Sequence, residues 1–366
     1  MNVERSAWRV PRLRAVGVAH PPLLLAPMAG YTNAPTRRIA HRFGAAWSYT
    51  EMAHATGLIH ASDRTWQLLE TFADEGPVVA HLYGTDPAAF AEAARRIAAS
   101  GRFMGIDINA GCPAPKITRS GAGATLLRAP AHVGRIVAAI RAVCDLPVTV
   151  KTRLGLHPGH LACFDLLQAV QDHGAAALAI HGRYASQGHA GPVDLAQVAA
   201  LRERASIPII GNGGIRDVAA ARRFLDATGV GALMLGQGAI GNPWIFQELA
   251  AGLTESPAEA PCPQRSLDER RAAIHEHLAA EVEFQERLAR KYPHARDKLT
   301  PEYAAVIGFR VHFFNYLRGL RGVAQARGQL NALQTLGQVY ALVDTCLARE
   351  AEFRARRRQV TKVETG

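Results

Sequence analysis

Residues 106–123 read IDINAGCPAPKITRSGAG, and this stretch decides the fold. Ile106, Asp107, Ile108 and Asn109 alternate apolar and polar, as the end of a β-strand does. Gly111 and Pro113 then force a tight turn that leaves Cys112 at the strand's C-terminal rim. Lys116 and Arg119 follow closely, and Gly121 and Gly123 stand ahead of a helix. Free cysteines are most often small buried hydrophobes. A thiol flanked by cations, in contrast, is more easily deprotonated or poised as a proton donor.

The same strand-then-helix step recurs on both sides. PPLLLAPMAG, residues 21–30, reads as a buried strand ending in a glycine turn. Further strands are expected at 47–50, 78–83, 105–109, 147–152, 178–181, 208–211 and 233–235. Helix-like stretches at 87–99, 131–143, 161–172, 195–203 and 217–227 lie between most of them. Counting 21–30 first, that makes eight short strands, mostly without the polar alternation of a half-exposed sheet. Parallel strands covered by helices read this way, and eight of them over about 220 residues predict a closed (β/α)8 TIM barrel. We assign it to residues 23–252. An open doubly wound sheet is the alternative, but the GxGxxG that usually follows its first strand is absent.

The composition changes near residue 251 to TESPAEAPCPQRS, a proline-rich polar stretch read as a linker over 253–266. Beyond it, 267–291 and 302–320 have helical periodicity and 329–349 continues it. These predict a small all-helical C-terminal domain over 267–350. EFRARRRQV, within a basic tail at 351–366, is either a frayed helix end or disordered, and residues 1–22 form a basic lead-in.

The chain has 366 residues, 48% hydrophobic and 20% charged, which indicates a folded, soluble protein. Its five cysteines include no CxxC pair and form an odd set, so neither a disulfide framework nor a zinc knuckle is favoured and no metal is expected. A reducing cytoplasm fits best. No export signal and no membrane-length apolar run is read. The formal charge of +11 attracts polyanions, nucleic acid being the most abundant candidate. From residue 299 onward, Arg310, Arg318, Arg321, Arg327, Arg349, Arg354, Arg356, Arg357, Arg358 and Lys362 face few acids.

Side chains at the C-terminal ends of barrel strands face one shared pocket. In this chain those ends carry Pro27, Met28 and Ala29, then Glu51, His81, Asn109 with Cys112, Lys151 with Arg153, and His181 with Arg183. Asn212, Gly213 and Gly214 follow, then Gly236, Gln237 and Gly238. No core needs such a polar inventory, and a common ligand is the simpler account. GNGGI and LGQGAIGNPW put bare backbone amides after the last two strands, where this fold binds phosphate. Lys151 can set positive charge beside the N1–C2 carbonyl region of a flavin. A phosphorylated aromatic cofactor, FMN above all, is the leading expectation.

APMAGYTN, DINAGCPAPK followed by GAGATLL, VKTR, IHGR, GNGGI and LGQGAIGNPWIF, in this order and at these spacings, closely resemble the tRNA-dihydrouridine synthases, particularly the bacterial ones. The match covers roughly residues 23–246. The helical domain agrees more loosely with the family's tRNA-binding domain. The resemblance implies FMN, reduced by NADPH, saturating the C5=C6 bond of uridines in tRNA. Cys112 would protonate C5 while hydride reaches C6. Lys151 and His181 would contact the flavin ring, Asn109 would orient flavin and base, and Asn212, Gly213 and Gly236 would hold the phosphate. Substrate contacts are expected from Glu51, Lys116, Arg119, Arg153, Arg183, Arg310 and Arg318, and the thiolate of Cys112 would be eased by Lys116 or Arg119. A monomer is expected.

Three positions depart from the family's pattern. His81 stands where a glutamine usually meets the flavin pyrimidine, Gln237 replaces an arginine near the phosphate, and Asn33 replaces an aspartate. Two other readings stand beside the first: a flavin barrel oxidoreductase acting on a free pyrimidine, and an RNA-binding protein whose flavin site has decayed. A basic helical domain has no task on a small substrate, which speaks against the former.

Overall fold

The computed structural model describes residues 20–60, 62–254, 265–294 and 299–364, with side chains up to residue 357. Most of the basic lead-in and of the proline-rich linker lies outside the described residues. The chain divides into two compact units. One spans Met1–Ala239 with Pro243–Ala260, and the other Pro261–Gly366 with Ile240–Asn242.

The first unit is a closed parallel barrel. Its strands are β1 (Leu23–Leu25), β2 (Trp47–Tyr49), β3 (Ala53–His54), β4 (Val78–Tyr83), β5 (Gly105–Ala110), β6 (Val148–Arg153), β7 (Ala177–His181), β8 (Ile209–Asn212) and β9 (Ala232–Leu235). β1 pairs with both β2 and β9, and β2 with β4, which closes the ring. β3 was not expected. It pairs with the far end of β4, so that β2 and β3 are two halves of one strand, broken at residues 50–52. The break leaves the amide of His81 without a strand partner, and Thr50 Oγ1 accepts from it at 3.0 Å.

Alternation assigns the two faces of each strand. Ile106, Ile108, Val148, Val150, Leu178, Ile180, Leu233 and Leu235 point outward into the core under the helices. Leu24, Ala26, Tyr49, Val79, Ala177, Ala179, Ile210, Ala232 and Met234 fill the barrel's inside. Helices Pro87–Ala99, Pro130–Arg141, Cys163–Asp172, Leu195–Arg204 and Val218–Thr228 lie between strands close to where periodicity put them. Helix Ala34–Arg42, capped by Asn33 accepting from the Thr36 amide, was missed because Ile39 is its single large apolar residue and its buried face includes Thr36 and Arg37.

That missed helix is anchored by a buried ion pair. Arg37 is fully buried and donates from Nε to Glu75 Oε1 at 2.5 Å, and also to the carbonyls of Thr32 and Glu70. The Phe72 amide donates to Glu75 Oε2. Burial pushes the Glu75 carboxyl upward, against the pull of Arg37.

The second unit is helical: Leu267–Lys291, Pro301–Tyr316, Val323–Leu330 and Leu336–Glu364. A capping box of Ser266 and Glu269 starts the first. The helical periodicity expected over 329–349 falls on two helices, the end of Val323–Leu330 and the start of Leu336–Glu364. The turn between them holds because Gln338 accepts from the amides of Gln334 and Thr335, and Glu302 accepts from that of Leu336. Of the two readings of the basic segment from residue 351, the helix end is the one seen as far as Glu364, where Arg354 pairs with Glu350 and Arg321 lies 3.6 Å over the Phe353 ring. His277 is buried and its Nδ1 shares a hydrogen bond with the Tyr316 hydroxyl. No described helix is long and apolar enough to cross a membrane.

Two measurements check these anchors. Replacing Arg37 by Met strands a buried carboxylate and is expected to cost about 3–5 kcal/mol in urea unfolding. Burial lowers His277 from its ordinary 6.5 to about 3. The unfolded chain therefore takes up a proton near pH 6.5 that the folded unit refuses until about pH 3, and stability falls as pH drops through that window. His277→Gln is expected to flatten that fall in unfolding followed by circular dichroism.

Candidate active site

Midway up the barrel, β4, β5 and β6 turn polar side chains inward where β7 and β9 turn Ala179 and Met234 inward. His81 Nδ1 meets Asp107 Oδ2 at 2.6 Å, and Thr149 Oγ1 donates to Asp107 Oδ1 at 2.5 Å. All three are buried, so one carboxylate joins three adjacent strands. One step higher, Asn109 faces Lys151 across the β5–β6 ladder. Burial and neighbouring Arg153 lower Lys151 to about 8, while Asp107 and Cys112 oppose the fall.

Cys112 sits on the loop after β5. Its amide donates to Asn109 Oδ1 at 2.9 Å, and its carbonyl accepts from Ala124 at 2.9 Å. The returning chain comes so close that a Cβ on Gly123, at φ +61°, would fall 2.6 Å from that carbonyl oxygen. Arg153, 4% exposed, fixes the same loop by donating from Nε to the Gly111 carbonyl at 3.0 Å. Its Nη1 donates to the carbonyls of Tyr184 at 3.1 Å and Gly188 at 2.7 Å. Burial lowers Arg153 to about 10, against the effect of Cys112. Burial raises the thiols of Cys144, Cys163 and Cys346.

At the next strand end Arg183 Nη1 donates to His181 Nε2 at 3.0 Å, and its Nε and Nη2 donate to the Gly191 carbonyl. Burial, followed by Lys151, Arg153 and Arg183, keeps His181 neutral. Gly213, at φ +117°, makes room for it, since a Cβ there would lie 2.7 Å from His181 Cδ2. Asn212 is turned sideways, donating to the Met234 carbonyl at 2.7 Å. The β8 and β9 loops touch, because a Cβ on Gly238 would meet the Ile215 carbonyl oxygen at 2.5 Å and Arg216 Cα at 3.5 Å. On the β1 side, the Gly30 amide donates to Glu51 at 2.6 Å, and Met28 Sδ lies near Gly236.

A family profile described as "Dihydrouridine synthase (Dus)" matches residues 24–352. The chain belongs to the dihydrouridine synthase family. It is 34% identical over 322 residues to tRNA-dihydrouridine synthase B of Shewanella oneidensis, covering 88% of this chain and 94% of that one. It is 40% identical over 234 residues to a probable tRNA-dihydrouridine synthase of Rhodobacter capsulatus, covering 64% and 72%. With tRNA-dihydrouridine synthase B of Escherichia coli it shares 38% identity over 241 residues, covering 66% and 75%.

In this synthase-family barrel, Met28, Glu51, His81, Asn109, Cys112, Lys151, His181, Asn212, Gly213 and Gly236 all occupy strand ends or the loops directly after them, with Pro27, Ala29 and Gly214. Gln237 is exposed at the start of a short turn. Lys116 and Arg119 are exposed on the turn beyond the cysteine, and Cys112 also acts on the charges of Lys151 and Arg153. Arg153 and Arg183, expected on substrate, are engaged with loop carbonyls. In the helical unit Arg310 donates to the carbonyls of Asn331 and Leu333, and Arg318 to Asn315. Sequence reading missed Asp107, whose signal was a lone acid in an apolar strand, and His189 and Arg216, which had none. No group of three or more potential metal ligands is found among the described residues.

Arg153 ties two loops to one strand end, so Arg153→Met is expected to loosen both together. Amide hydrogen exchange should speed up in residues 111–123 and 184–191, with protection kept in the strands.

Proposed function

We propose that this chain reduces the C5=C6 bond of uridines in tRNA to dihydrouridine, with FMN as bound cofactor and NADPH as its reductant. The observation that carries the reading is the meeting of Cys112 with Lys151 and Arg153 at a barrel rim whose last two strands end in touching glycine loops. The names of the similar proteins support it.

The residues fit a flavin. Gly213, Gly214 and Gly236 bring backbone without side chains to the phosphate end. Arg216, exposed and close enough to act on Arg183, adds charge there, where Gln237 brings none. His81 Nε2 has no protein partner among the described residues, since the pair with Asp107 uses Nδ1. It is free for the cofactor's pyrimidine edge.

Bound reduced FMN supplies the hydride that C6 accepts. Cys112 gives its proton to C5, which completes the saturated ring. Lys151 and Arg153 stabilise the thiolate left behind and the negative charge that builds on the base during transfer. Protonated Lys151 is the major form at neutral pH, given its value of about 8. The base must leave the RNA stack to reach the rim, which costs a few kcal/mol, to be offset by backbone contacts. Arg321, over the Phe353 ring, and Arg327, beside Phe314, are exposed arginines that supply charge for phosphates.

Purified protein incubated with FMN, NADPH and unmodified tRNA should yield uridines heavier by two hydrogens, read by mass spectrometry. Cys112→Ala should keep the flavin and NADPH oxidation but lose tRNA reduction by about 100-fold or more. A colourless protein that takes up no FMN would sink the reading.

A further inference from the structure

The loop after β7 carries a second imidazole that the expected site does not use. His189 lies between Gly188, at φ +56°, and Gly191, at φ +71°. Both bracketing carbonyls are held by guanidiniums from consecutive strand ends. Arg153 reaches Gly188 at 2.7 Å, and Arg183 reaches Gly191 with two nitrogens at 3.0 and 2.8 Å. A four-residue segment pinned at both ends presents its middle in one place. The His189 ring rests 5.7 Å from that of His181, tilted by 31°.

His189 shares its neighbours with Cys112. The charges of Lys151 and Arg153 act on both the cysteine sulfur of the β5 loop and the His189 ring of the β7 loop. The His189 ring nitrogens make no hydrogen bond to any described residue, and the ring is partly open to solvent.

Lys151, Arg153 and Arg183 can only donate hydrogen bonds. They suit the carbonyl oxygens of a pyrimidine but offer nothing to an imide N–H. His181 Nε2 already accepts from Arg183, and Asn109 Oδ1 from the amides of Gly111 and Cys112. Burial, then Arg153, Lys151 and Arg183, lowers His189 from its ordinary value, so one of its nitrogens remains an acceptor at neutral pH. Resting on the function proposed above, we propose that His189 is a substrate-recognition residue that accepts the N3–H of the extruded uracil, on the side of the ring away from Cys112.

The test is single-turnover reoxidation of NADPH-reduced holoenzyme by unmodified tRNA. His189→Ala should keep its FMN content and its rate of flavin reduction by NADPH, yet be reoxidised about tenfold more slowly. His189→Gln, whose amide oxygen still accepts, should recover most of that rate. Acidification should slow the wild type as protonation removes the acceptor. The groups facing His189, namely Lys151, Arg153, His181 and Arg183, are common to both proteins, so the Gln variant should lack this acid limb. Wild-type reoxidation in His189→Ala, or equal slowing in the Ala and Gln variants, would overturn the proposal. A wild-type protein that tRNA does not reoxidise would overturn the function itself, a separate and visible failure.

Discussion

The arrangement of the site depends on one guanidinium. Arg153 ends β6 with no carboxylate partner among the described residues, and its donors go to the carbonyls of Gly111, Tyr184 and Gly188. Taking an ion out of water costs several kcal/mol. Charge-assisted hydrogen bonds, each contributing roughly 1.5–3 kcal/mol, offset that cost only if the fork meets its acceptors in one geometry. A lysine, with its point charge, would not hold three carbonyls on two loops at once. The cysteine loop and the His189 loop are thus fixed relative to each other through β6, and neither needs to be rigid alone.

Below that fork the barrel is divided by polarity. β7 and β9 contribute Ala177, Ala179, Ala232 and Met234 to the interior, as a packed barrel does. β4, β5 and β6 contribute His81, Asp107, Thr149 and Lys151. Asp107 makes this tolerable: its two oxygens take His81 and Thr149, and its charge supports Lys151 against the desolvation that lowers it. Burial and the same charge push the Tyr49 hydroxyl far above its usual range, so it stays protonated. The acid in this layer is a structural counter-charge beneath the cations Lys151 and Arg153.

The barrel was legible because buried parallel strands write apolar runs, and helices such as Pro87–Ala99 write a 3.6-residue stripe between them. β3 was not legible, since two residues beyond a strand break carry no period. The helix Ala34–Arg42 was hidden because its buried face includes Arg37, a residue that reads as exposed until Glu75 is brought to it. At the rim, the cysteine loop announced itself through glycine and proline. The neighbours of Cys112 did not. Sequence proximity pointed to Lys116 and Arg119, whereas barrel closure brings Lys151 and Arg153, some forty residues on, across the β5–β6 ladder.

The rim's charge distribution has a consequence for protons. Lys151, Arg153 and Arg183 bear on one end of the barrel, and burial followed by these cations lowers His181 and His189, without a carboxylate raising either. Two imidazoles are thereby kept unprotonated beside a row of fixed positive charges. Such a field favours any group that becomes negative there and disfavours a second proton on any base. A thiol can release its proton into it, and an imidazole can keep an open lone pair in it. The same cations therefore separate the donor and acceptor roles of Cys112 and the histidines, which no single strand end carries by itself.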